Sequence, residues 1–187
     1  MPVLISVATW RPKTNGRSMS FSPPRRLRFI RVEFAPSCGC LGSLVTVVTD
    51  FCRNVIDDPD VIFAFRMAAF ELTENIVKYC SGDRAVVEIS VDNNKQGAEL
   101  VLTTQNEASP ERLHDANERL LASEAAEDPI EHFDKLVRDS ITSPNESRLG
   151  LGRLRAEADL RVSHATQGST LTVEVRRRVI NSEFGGN

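Results

Sequence analysis

Within the run ELTENIVKYC, Glu71, Asn75 and Lys78 stand at i, i+4 and i+7, a spacing that puts a carboxylate, an amide and an ammonium on one stripe of a helix. A carboxylate can orient water or accept a proton, an amide oxygen is a hard ligand for Mg²⁺, and an ammonium attracts phosphate as a point charge. On spacing alone the bland alternative weighs more, because Glu74 and Lys78 make an ordinary i,i+4 ion pair and most helices carry a polar face. A second cluster, Leu149-Gly150-Leu151-Gly152, opens a short apolar-periodic segment. Backbone amides at such a helix start bind anions, although glycines there serve helix packing equally well. Cys38 and Cys40 form a single C-x-C with no second pair, short of the four ligands of a closed zinc site. Cys52 and Cys80 are expected as small core residues, and His114, His132 and His164 are too isolated to assign a His-acid-nucleophile set.

The elements that must position these residues can be read from periodicity. LRFIRVEF, from Leu27, alternates apolar and charged residues as a half-buried strand does. Leu44, Val47, Val48, Phe51 and Val55 then recur at three and four, the mark of an amphipathic helix. VIFAFRMAAFELTENIVKYC predicts a long second helix with Asp60 as its cap and Ser81-Gly82 as its end. RAVVEISVD and AELVLTTQN predict antiparallel strands joined through NNKQG, a connection longer than a two-residue turn. Ser109-Pro110 and Asp128-Pro129 each place a cap ahead of proline at a helix start, predicting two exposed acidic helices. RLGLGRLRAEADL predicts a short helix, and LRVSHAT with STLTVEV a closing hairpin turning at Gln167-Gly168. Clustered antiparallel strands beside helices give an α+β two-layer sandwich, with a mixed or antiparallel sheet of about five strands and helices on one face.

The 187 residues are one domain's worth, and no apolar run approaches the ~20 residues of a membrane helix. The net charge of −3 hides an asymmetry. Residues 1–32 hold seven Lys/Arg and no acid, leaving 16 bases against 26 acids, or −10, for 33–187. An acidic body argues against a nucleic-acid groove. The expected organisation is a flexible basic leader over 1–25, a domain over 26–178 with a lid-like helical insertion at 107–147, and a frayed tail over 179–187. The leader fits an over-extended start, with Met19 as an in-frame alternative to Met1, or a transit or anchoring segment.

ELTENIVKYC resembles the N box of the GHKL (histidine-kinase-like) ATPase superfamily, which includes gyrase, histidine kinases and the bacterial anti-sigma-factor serine kinases, and whose pattern is close to E/N-x-x-x-N-x-x-K-Y/H. From Leu27 to Arg178 the order of strand, helix, motif helix, two strands, lid region, LGLG and a final GSTLTVEV strand is similar to that of the stand-alone anti-sigma-factor kinases. The resemblance implies a Bergerat-type ATPase fold with ATP and Mg²⁺ as cofactors. It implies Asn75 as metal ligand, Glu71 as the catalytic group that orients or deprotonates the nucleophile, and Lys78 at phosphate.

Two motifs depart from the family. Where its D-x-G-x-G supplies an adenine acceptor, this chain has TTQNEAS, which leaves the amide oxygen of Gln105 or Asn106 for that bond. Of its G-x-G-x-G phosphate loop only Gly150 and Gly152 remain. Glu146 and Arg148 stand at the first two glycine positions, the arginine adding and the glutamate opposing charge for an anion. What the resemblance then implies is a cytoplasmic regulatory protein that acts by binding a partner of the anti-anti-sigma or sigma-factor-like kind, with weak or lost ATP and Mg²⁺ binding. It allows a homodimer. The alternative is an active ATP-dependent serine/threonine protein kinase that phosphorylates a small partner protein.

Overall fold

The computed structural model describes residues 4–9, 28–94, 97–142 and 149–179. The strands are β1 (Leu4–Thr9), β2 (Arg28–Phe34), β3 (Ala85–Asn94), β4 (Gly97–Glu107), β5 (Arg161–Gln167) and β6 (Thr170–Val179). The helices are α1 (Leu41–Arg53), α2 (Pro59–Tyr79), α3 (Pro110–Ala125), α4 (Pro129–Thr142) and α5 (Leu149–Ala156), with a 3₁₀ turn at Cys38–Cys40 ahead of α1. All pairings are antiparallel, in the order β1-β2-β3-β4-β6-β5.

Strand parity explains the two layers. Leu100, Leu102, Thr104 and Asn106 of β4 are buried on one face, opposite Val91, Ile89, Val87 and Ala85 of β3. The alternate residues include Glu88, Ser90, Glu99, Thr103 and Gln105, and Arg31 of β2 meets Glu88 of β3 at 3.1 Å on the outer face. One face therefore packs on helices and the other meets solvent, as antiparallel sheets permit. α2 supplies Phe65, Ala68, Ala69, Leu72 and Ile76 to the core.

The starts of α2, α3 and α4 have a chemical cause. Asp58 Oδ1 accepts from the backbone N–H of Asp60 (2.8 Å) and Val61 (3.3 Å), with Pro59 in the first turn. The cap is thus Asp58 rather than Asp60, because proline pre-sets the first helical residue. Ser109 Oγ accepts from Arg112 N at 3.4 Å, and Asp128 Oδ1 from Ile130 N at 2.8 Å, as the two cap-proline pairs predict.

Three other differences from the sequence reading have physical reasons. The β3/β4 ladder runs to Asn94↔Gly97, so only residues 95–96, outside the described residues, lie between the strands. A sixth strand, Leu4–Thr9, pairs with β2 in a stretch where proline, serine and arginine nearby mask a short apolar run. Finally, α3 is docked rather than exposed. Leu113, Leu120 and Ser123 are buried, Thr166 Oγ1 donates to Asn117 Oδ1 at 3.0 Å, and His164 Nδ1 lies 2.7 Å from Glu124 Oε1. The rest of the leader, Met19 and the tail beyond Val179 lie outside the described residues.

Candidate functional site

The connection from β4 to β5 carries α3, α4 and α5. Between them and α2 lies a cavity of about 420 Å³. Leu72, Ile76 and Val173 give it an apolar base, and Asn75, Thr104 and Asn106 bring polar groups into it. Asn106 is 8 % exposed, and its Nδ2 donates to Glu107 O at 3.1 Å. That bond uses the donor end of the amide and leaves Oδ1 as the acceptor end. Ser123 Oγ, on the α3 wall of the same cavity, is buried with no hydrogen-bond partner. At the margin Arg112 lies over the Tyr79 ring, 5.2 Å from its centroid, a cation–π contact that fixes both side chains.

Glu71 lies one turn before Asn75 on α2, with its side chain 13 % exposed. Arg153 Nη1 of α5 is 3.7 Å from its Oε1, while Arg153 Nε makes a shorter contact of 2.8 Å to Glu157. Burial, and then the nearby Glu74, hold the Glu71 carboxyl above its ordinary value, against the opposing pull of Arg153 and Lys78. The carboxylate lies directly against α5, and a Cβ on Gly150 would run into Glu71 Oε2. A Cβ on Gly152 would meet Leu136 Cδ1 at 2.8 Å and Phe133 Cδ2 at 3.3 Å. Both glycines therefore create room for protein side chains.

The structure brings Asn75, Asn106, Gly150 and Gly152 to one cavity and sets Glu71 against its α5 wall. Lys78 does not line it, and its ammonium is 2.9 Å from Glu74. Gln105 does not line it either, because the pleat turns it to the opposite face from Thr104 and Asn106. Arg148, like Glu146, lies outside the described residues. Sequence reasoning passed over Tyr79, Arg112, Ser123 and Arg153. Only Tyr79 had a readable signal, standing at i+4 from Asn75 on the same helix face. Cys52 is buried and burial pushes its thiol up to about 12. Among the described residues no group of three or more His, Cys, Asp or Glu could hold a metal ion, and no helix is long and apolar enough to cross a membrane.

No protein-family model matches the chain, and no curated protein matches it. It is similar in structure to a chain of the SiaB–SiaC complex from Pseudomonas aeruginosa, with a TM-score of 0.56 and 14% identity, over 80% of this chain and 89% of that one. At that identity the likeness is one of fold.

Proposed function

We propose that this chain is a regulatory protein of the histidine-kinase-like ATPase fold that acts by docking a partner protein, with Mg-ATP binding weakened or lost. The observation that carries this reading is the seat of Glu71. In the ATPases that the sequence resembles, the start of the helix after the lid receives the phosphates. Here a carboxylate occupies that space beside Gly150, and Leu136 and Phe133 fill the space beside Gly152. A phosphate brought there would face a like charge in a partly buried setting, where the repulsion is poorly screened.

The residues present fit the base half of a nucleotide and not the phosphate half. An apolar cavity with the Asn106 amide suits a planar hydrogen-bonding ring, while the phosphate cradle is occupied by the chain's own side chains. Asn75 is the residue that would hold Mg²⁺. The matched chain comes from a complex of two proteins, which supports partner binding as the output.

A second reading, phosphoryl transfer to a small partner protein, is favoured by one observation: Glu71 and Asn75 lie one turn apart on α2 with Asn75 in the cavity. It requires Glu71 to leave α5 and Arg153. The test is capture of a partner from the host by tagged protein, with and without Mg-ATP. The proposal expects the same defined partner in both lanes and no phosphate on it. A partner that becomes phosphorylated in the presence of ATP would overturn it.

A further inference from the structure

α1 and α2 lie side by side over the sheet, yet their outward faces differ in kind. α1 turns Gly42, Ser43, Thr46, Asp50 and Arg53 to solvent, the polar face expected of a surface helix. α2 exposes Phe63 by 62% and Phe70 by 43%. With the half-buried Met67 and Val77 these lie within roughly 40° of one direction around the helix. The opposite side of α2 is already committed to the core through Phe65, Leu72 and Ile76. Single exposed apolar side chains are ordinary, but a helix apolar along two faces is one that is covered on two faces.

The charges beside the stripe say what covers it. Arg66 is exposed and has no ion-pair partner among the described residues, and Glu74 is half-buried beside Lys78. They stand four residues before and four after Phe70. A two-fold axis through Phe70 that sets two α2 helices antiparallel therefore brings Arg66 of each copy toward Glu74 of the other. The same axis sets Phe63 against Val77 twice and Phe70 against Phe70. This is the self-complementarity an isologous interface needs. A parallel pairing would instead set arginine beside arginine and glutamate beside glutamate, a repulsive arrangement.

We propose that the outer face of α2 is a homodimer interface in which a second copy of this chain packs antiparallel about Phe70. Asn75 points roughly 120° around the helix from the stripe, so the pairing leaves the cavity of each copy reachable. The inference is independent of the regulatory reading.

Two measurements test it on the full chain. In a Cys38→Ser, Cys40→Ser, Cys80→Ser background, Phe70→Cys should form a covalent dimer on mild oxidation. Phe63→Cys should not, since antiparallel pairing holds the two copies of that position roughly 21 Å apart. By sedimentation equilibrium Arg66→Glu should raise the dimer dissociation constant by about tenfold, and Arg66→Glu with Glu74→Arg should restore most of the loss. Phe70 is exposed in the monomer, so its replacement leaves folding intact. Sedimentation of the wild-type chain as a monomer at every concentration would overturn the proposal. So would linking through Phe63→Cys as readily as through Phe70→Cys.

Discussion

Glu71 and Gly150 share one space: the carboxylate Oε2 of the first fills the position that a side chain on the second would need. The contact joins α2 to the start of α5, and Arg153 Nη1 closes over the same carboxylate from 3.7 Å. A residue of the motif helix is thereby held by the element that, in the resembled ATPases, begins the phosphate site.

The contact can be measured by a double-mutant cycle. Gly150→Ala gains about 1 kcal/mol of helix propensity but must displace Glu71. In a Glu71→Ala background only the gain remains. Denaturant titrations should therefore show Gly150→Ala to be more favourable in the Glu71→Ala protein by about 0.5–2 kcal/mol. Equal effects in both backgrounds would remove the contact from the account. Gly152→Ala is expected to cost about 1–2 kcal/mol whichever residue stands at 71, because its Cβ meets Leu136 and Phe133 of α4.

Titration of Glu71 gives a signed prediction. Its folded pKa lies above the ordinary 4.5, so the folded chain holds a proton that the unfolded chain releases in the window between the two values. The stabilisation is complete below that window and is lost as pH rises through the folded pKa. Glu71→Gln cannot ionise. Its melting temperature should gain on wild type as pH rises from the ordinary carboxylate value through the raised folded pKa. A difference independent of pH would show the carboxyl to be unperturbed.

Ser123 offers a test of the cavity wall. Its Oγ is buried without a partner, and serine is a poorer helix former than alanine. Ser123→Ala should raise stability by about 0.5–1.5 kcal/mol in chemical denaturation. A loss of stability would mean that the hydroxyl is satisfied in solution.

The fold was largely legible because its signals are local. LRFIRVEF alternates strongly enough to set strand parity, and Ser109-Pro110 and Asp128-Pro129 announce helix starts through cap chemistry. Leu4–Thr9 escaped because six residues at a sheet edge carry little pattern beside a basic, proline-containing stretch.

The site was legible only where one helix or one strand decides it. Asn75 follows from helical spacing, and the choice between Gln105 and Asn106 is made by the pleat, which sends neighbours to opposite faces. The seat of Glu71 was not legible. It depends on α5 returning from 79 residues away to lay Gly150 against it, and nothing in the spacing of either motif encodes that distance.

The central claim is that the chain's own side chains fill the phosphate half of the nucleotide site, and isothermal calorimetry with Mg-ATP tests it most directly. On this account the closed phosphate side costs two or three hydrogen bonds at about 1–3 kcal/mol each, a weakening of about 10²–10⁴-fold. The account predicts millimolar or undetectable Mg-ATP affinity. Micromolar affinity, with phosphate transferred to a co-purified partner, would contradict it and establish the chain as an active kinase.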